Sequence, residues 1–305
     1  MRNHPHFGAY AALACVCVLW GTTYLGIRIA VQEVAPAELM CVRYLLSGAL
    51  ILVGARIRGA RFPQGREVWA HAGFGVLTIA LGTGALTYAE VWVPSGLASL
   101  FVTTASFWLV ATEAAMPGGE PLHAPTIGAM AIGAAGAGLL VAPIGDASGS
   151  GSAISAGRLL AGFGLIQLGY AGWGVGSILQ RRRASTAHPI VNAGVQQFAA
   201  GAAFILPALL GRHTPWTARG AAAALYLAIF GGAIGYSAYV IAVTSLPVAI
   251  TSIYSYINPL VAVLLGVWLY GEQFTAREGV AMVIIFAGVA LVKRAQSARA
   301  RSAKT

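Results

Sequence analysis

The sequence predicts an all-α integral membrane protein of ten transmembrane helices, arranged as two inverted five-helix repeats. Three observations predict it. Hydrophobic residues make up 58% of the 305-residue chain and charged residues only 9%, whereas soluble domains carry roughly 25% charged residues; there is too little polar surface to coat a globule. Apolar runs of about 20 residues, the length that spans a bilayer, recur from end to end. The two halves of the chain also match one another at a nearly constant offset.

The spans fall near 9–28, 36–55, 68–89, 93–114 and 124–142, and then near 158–179, 190–210, 220–242, 247–269 and 277–294. The clearest stretch runs from Gly220 to Gly271, which holds no Asp, Glu, Lys or Arg and is interrupted at Thr244-Ser245-Leu246-Pro247, so it reads as two spans. The first span runs into Trp20-Gly21-Thr22-Thr23 with no small-x-small cleavage site, which argues against a removable signal peptide. The high hydropathy excludes a disordered chain. The net charge of +10 does not indicate nucleic acid, because the basic residues are confined to short loops and the C-terminal tail. Cys15, Cys17 and Cys41 lie inside apolar stretches without metal or disulfide spacing and read as packing residues; no metal or other cofactor is expected.

Loop charges set the expected orientation. With both termini cytoplasmic, the inner segments hold Arg2, Arg56, Arg58, Arg61, Arg66, Arg181, Arg182, Arg183, Lys293, Arg294, Arg299, Arg301 and Lys304. Only Arg28, Arg43, Arg158, Arg212, Arg219 and Arg277 fall elsewhere, a positive-inside bias.

At an offset of 153, Trp20-Gly21 falls on Trp173-Gly174, Pro36 on Pro189, Gly48 on Gly201, Gly82 on Gly235, Pro94 on Pro247 and Ser99 on Ser252. One gap then places Gly119-Glu120 on Gly271-Glu272. The expected organisation is a first repeat over 1–145, a Gly/Ser-rich linker over 146–156, a second repeat over 157–295 and a basic cytoplasmic tail over 296–305. Five spans per copy is odd, so the second copy crosses in the opposite sense. Inverted repeats place a transporter's substrate site near the midplane between the halves.

The same residues carry a family resemblance. Leu19-Trp20-Gly21-Thr22-Thr23-Tyr24, Pro36 followed by Arg43, Gly96-Leu97-Ala98-Ser99-Leu100, and Asn258-Pro259-Leu260 through Gly271-Glu272 to Gly288 together resemble the EamA branch of the drug/metabolite transporter superfamily over nearly the whole chain. The resemblance implies ten helices in two inverted halves and export of small metabolites from the bacterial cytoplasm across the inner membrane; similar members include YddG-type amino-acid exporters. Two departures, Ser106 in place of a usual proline and Gln196 where the first copy has Arg43, leave substrate identity open.

Span 4 carries Ser99, Thr103 and Ser106 on one helical face, and span 9 carries Ser252, Ser255, Tyr256 and Asn258 around Pro259. A polar stripe is costly in lipid and should face the bundle interior, although small hydroxyls also serve helix packing and bond back to their own helix. Trp20 and Trp173 sit deep in their spans, away from the interfaces where aromatic belts lie. With Tyr88, Trp108, Tyr236 and Tyr239 they are expected to wall a central space that holds apolar groups by burial and stacking; packing in a bundle core is the alternative. Trp92, Trp216 and Trp268 read as interface anchors. Arg43 lies about 10 Å into span 2 at 1.5 Å per residue, where a charge snorkels or pairs. Glu90 and Glu38 are its candidate partners, in a structural or gating clamp.

The substrate-binding set expected from sequence is therefore Trp20, Tyr88, Thr103, Trp108, Trp173, Tyr239, Ser255, Tyr256 and Asn258, with Arg43, Glu90 and Pro259 in structural or gating roles. The expected activity is export of small neutral or aromatic amino acids by alternating access, with lipophilic drugs or other metabolites such as nucleosides as the alternative. No catalytic cluster is found, and a duplicated chain suits a carrier better than a channel. The partners are a small-molecule substrate and the lipid bilayer, with the protein acting as a monomer.

Overall fold

A computed structural model describes residues 7–119, 121–141, 155–211, 213, 215–246 and 254–302. Among the described residues there is no strand. In chain order the helices are α1 (Phe7–Glu33), α2 (Pro36–Ile57), α3 (Arg66–Ala89), α4 (Ser95–Ala115), α5 (Ala124–Val141), α6 (Ala156–Arg182) and α7 (Pro189–Leu210). There follow α8, made of Ala218–Tyr226, Leu227–Ile234 and Gly235–Ser245, then α9 (Tyr254–Tyr270) and α10 (Ala276–Ser302). Seven of these, α1 to α4 and α6 to α8, are long and apolar enough to cross a membrane, and α5 and α9 are shorter apolar helices. The protein is an all-helical membrane protein. Residues 146–154 of the expected linker, the start of the ninth span with Pro247 and Ser252, and Arg2, Glu120, Arg212 and Lys304 lie outside the described residues.

Local chemistry explains the helix ends. Pro36 and Pro189 stand at the first turn of α2 and α7, where the missing N–H would be unbonded anyway. The Thr217 hydroxyl accepts from the Gly220 N–H at 3.0 Å at the start of α8. Ser155, the last but one residue of the expected linker, already caps α6. Two ends run past the sequence expectation. Helix α1 continues to Glu33, past Arg28 at the end of the predicted span, which donates to the Glu90 and Val91 carbonyls rather than facing lipid. Helix α10 continues to Ser302, well into the expected tail, as an Ala/Arg-rich sequence of good helix formers allows.

The core is shared between the two halves of the chain. Helix α2 packs on α7, α5 on α10 and α4 on α9; α1 packs on α8 and α9, and α6 on α3 and α4. Close contacts come in exchanged pairs. A Cβ on Gly48 would meet the Phe198 nitrogen at 2.5 Å, and a Cβ on Gly201 would meet the Leu45 nitrogen at 2.5 Å; positions 48 and 201, like 45 and 198, are 153 residues apart. Gly136 lies against Ile285 and Gly288 against Gly133 in the same reciprocal way. Gly118 and Gly271 both adopt the left-handed conformation that favours glycine, with φ of 69° and 67°. The backbone thus matches Gly271 with Gly118 rather than with Gly119.

Polar contacts gather at two opposite ends of the bundle. At one end Glu33 bonds Thr217 and Glu38 bonds Trp216 and lies beside His213; Gln32 meets Tyr270, and Glu272 caps the start of α4. Trp92 there donates to the Arg158 carbonyl, which joins the start of α6 to the same end. At the other end Glu67 bonds Ser185 and Thr186, the His188 N–H donates to the Arg61 carbonyl, and Arg182 pairs with Glu113 at 2.7 Å.

Candidate functional site

Helices α3 and α8 share a distinctive interruption. Val76–Thr83 and Leu227–Ile234 are π-helical, a wider turn that is frequent at functional sites. Glycine clusters around both segments lower the preference for a regular helix. In α8 the Gly231 carbonyl accepts from Trp20 Nε1 at 3.1 Å, and the Gly232 carbonyl from Gln197 Nε2 at 3.5 Å.

Between the two π segments lies a cavity of about 170 Å³, with walls from α1, α2, α3, α4, α6, α7, α8 and α9. Among the described residues α5 and α10 contribute nothing to it; they pack on each other to one side. The walls are mostly aromatic and aliphatic. Trp20 stands edge-on to Tyr254, with centroids 5.4 Å apart, and is backed by Tyr239 at 5.0 Å. Trp173 stacks on Tyr170 at 5.6 Å and 20°. The two indoles rest on glycines that follow the same exchange as the packing. A Cβ on Gly235 would come within 2.9 Å of Trp20 Nε1, and a Cβ on Gly82 within 2.9 Å of Trp173 Cε3.

Of the residues expected from sequence, Trp20, Thr103, Trp173, Ser255, Asn258, Arg43 and Pro259 line this cavity, as do Ser99, Ser106 and Tyr236. Ser99 and Thr103 bond back to the Gly96 and Ser99 carbonyls at 2.6 and 3.1 Å, as packing hydroxyls do. With its amide nitrogen turned toward them, Asn258 donates to the Cys17 and Tyr254 carbonyls at 3.0 Å each, tying α9 to α1.

Four residues of the expected substrate-binding set stand elsewhere. Tyr88 is 37% exposed, two residues past Leu86, the last cavity-lining residue of α3, and so turns to another face of that helix. Trp108 turns to α6, where its Nε1 shares Gln167 Oε1 with the Thr104 hydroxyl at 2.9 Å each; the polar edge of a buried indole takes the nearest acceptor. Tyr256 packs edge-on against Phe286 with the Lys293 ammonium 4.4 Å above its ring. Tyr239 stands behind Trp20 rather than on the wall. The interface anchors also differ among themselves. Trp268 is 81% exposed, whereas Trp92 and Trp216 donate to the Arg158 carbonyl and to Glu38.

Sequence reading missed Tyr24, Tyr44, Tyr170 and Tyr254 as wall residues. Three of them carried a signal. Tyr24 and Tyr170 lie four after Trp20 and three before Trp173, and Tyr254 lies four before Asn258, spacings that share a helix face.

Neither expected clamp partner bonds Arg43. Glu38 is taken by His213, 2.6 Å away, and by Trp216 at 3.2 Å. Glu90 is fully buried away from the cavity wall, and both its carboxylate oxygens lack a hydrogen-bond partner among the described residues.

The comparisons with known proteins agree with this architecture. The sequence profile of the EamA-like transporter family matches residues 7–142 and again residues 160–294. The chain is 32% identical over 296 residues to the Escherichia coli (strain K12) protein named "Uncharacterized inner membrane transporter YedA", covering 96% of this chain and 92% of that one. It is 28% identical over 298 residues to the "Probable terminal-alkyne amino-acid exporter" of Streptantibioticus cattleyicolor, covering 96% of each chain. A crystal structure of a protein 22% identical superposes with a TM-score of 0.65 over 93% of this chain and 95% of that chain, which shows a shared fold. With the profile matching across nearly the whole sequence and the cavity enclosed by helices from both matched segments, the chain belongs to the EamA-like transporter family of multi-pass membrane transporters.

Proposed function

We propose that the protein is a bacterial inner-membrane exporter of small neutral amino acids, aromatic ones included, and that it works by alternating access. The observation that carries this reading is the central cavity, whose aromatic wall is built jointly by Trp20 and Trp173 from the two halves of the chain. Its volume of about 170 Å³ compares with the roughly 150 Å³ that accommodates benzene, a scale that suits an aromatic side chain better than a nucleoside. The amino-acid exporter at 28% identity and the inner-membrane transporter at 32% support substrate class and location.

The reading includes ten spans in two inverted halves, with a first repeat over 1–145, a linker over 146–156 and a second repeat over 157–295. The reciprocal glycine contacts support it, and so does the arrangement of the ends. Helix α1 finishes, and α6 begins, where Glu33, Arg158 and Thr217 gather. The end holding Arg61 and Arg182 is the arginine-rich one, which supports cytoplasmic termini. The two matched halves complete a cavity within one chain, so a monomer suffices. Trp20, Trp173, Thr103, Ser255 and Asn258 contact substrate, Tyr239 holds Trp20 in place, and Pro259, inside α9, weakens that helix's own hydrogen bonding and serves gating.

Flux of labelled amino acids from proteoliposomes tests the proposal. Concentration-dependent, saturable export of one or more neutral amino acids is expected. Absence of all amino-acid flux alongside movement of lipophilic cations would replace it with the drug-exporter reading.

A further inference from the structure

Arg43 is 5% exposed and lines the central cavity. Its guanidinium carbon lies 4.7 Å over the Tyr44 ring. Its Nε and Nη1 have no hydrogen-bond partner, and among the described residues it forms no ion pair. A Cβ on Gly231 would stand 3.5 Å from Arg43 Nη2, so the guanidinium lies close to the π segment of α8. Glu90, the partner expected from sequence, forms neither a hydrogen bond nor an ion pair with it among the described residues. An arginine cannot shed its charge, and a buried cation without a partner is strongly unfavourable. Here it lines the central cavity, beside Tyr44 and among the aromatic rings of Trp20, Tyr24 and Tyr236. The feature this chemistry lacks is an anion.

We infer that Arg43 is the anion-binding group of the cavity, and that the transported molecules carry a carboxylate which the guanidinium holds while the aromatic wall takes the remainder. The inference rests on the proposed export function and narrows it: the substrate is recognised at its acid end. The planar donor fork of arginine matches the two oxygens of a carboxylate. The position equivalent to Arg43 in the second half is Gln196, which is neutral, so the charge sits on one side of the cavity and fixes the direction in which a zwitterion lies.

The test uses the purified full-length protein, both in proteoliposomes and in detergent. In wild type, an amino acid is compared with its amide and with the amine that lacks the carboxyl group. The acid is expected to be transported at least about tenfold better, since a charged hydrogen bond is lost in either analogue. Arg43→Gln should remove that preference, and Arg43→Lys should retain part of it. Thermal stabilisation of detergent-solubilised wild type by simple aromatic carboxylic acids, and not by their amides, gives a second readout that needs no variant and no flux. Equal transport of acid and amide would overturn the role of Arg43 and leave amino-acid export standing. Stabilisation by carboxylates without any amino-acid flux would do the reverse. Neither flux nor stabilisation would overturn both.

Discussion

Trp20 lies so close to Gly235 that a single added methyl group would come within 2.9 Å of its indole nitrogen. The pair Trp173 and Gly82 repeats this contact on the other side of the cavity. Gly82 lies within the first π segment and Gly235 directly follows the second, so wall and support are set together. Gly235→Ala and Gly82→Ala should push the rigid indole into the cavity. Overpacking of this kind costs about 1–3 kcal/mol, partly offset by the better helix propensity of alanine. Transport should therefore fall several-fold while the melting temperature in detergent moves little; unchanged flux in both variants would show that the indoles do not shape the path.

Removing the rings themselves is the complementary change. Trp20→Ala and Trp173→Ala should each lower transport by about two- to tenfold, the range expected from losing an aromatic contact with substrate. Expression and membrane insertion should persist. Flux assays normalised to reconstituted protein check this.

Tyr88 offers a contrast. It is exposed and off the cavity wall, so Tyr88→Ala should leave flux within about twofold of wild type. A large loss from this change, measured in the same assay, would mean that the path runs along the rim of α3 instead of through the centre.

Glu272 holds the end opposite the arginine-rich loops. Its two oxygens accept from the Ser95 N–H and hydroxyl at 2.8 Å each and from the Gly96 N–H at 3.0 Å, joining the turn after α9 to the start of α4. Glu272→Gln keeps the shape but removes the charge from these bonds. A loss of about 1–2 kcal/mol is expected, read as a lower melting temperature, together with freer opening at that end.

Much of the architecture was legible in the sequence because it depends on local pattern. Apolar length marks the seven helices long enough to span a membrane and the shorter apolar helices α5 and α9, and the family profile matches twice along the chain, as the repetition of Trp-Gly and proline at one offset suggests. Trp20 and Trp173 were found because a deep indole away from both interfaces has few reasons to be there. The π segments left no readable trace, since a wider turn and an ordinary glycine-rich helix have similar composition. Trp108 and Tyr256 were misplaced for another reason: their partners, Gln167 and Phe286, are distant in sequence and decide the direction of the ring only in three dimensions. Arg43 stands out in the sequence as a charge inside a span, but of its two candidate partners Glu38 bonds His213 and Trp216 and Glu90 forms no hydrogen bond among the described residues. The absence of a partner becomes visible only once the neighbours are in place.

The central claim is that one cavity opens in turn to each side of the membrane. Cysteine labelling tests it most directly. With Cys15, Cys17 and Cys41 replaced, a single cysteine at Thr103 or Ser106 on the cavity wall is exposed to a membrane-impermeant thiol reagent from each side separately. The account predicts labelling from both sides in turn, slowed by a transported amino acid. Labelling from one side only, or none from either, would contradict it.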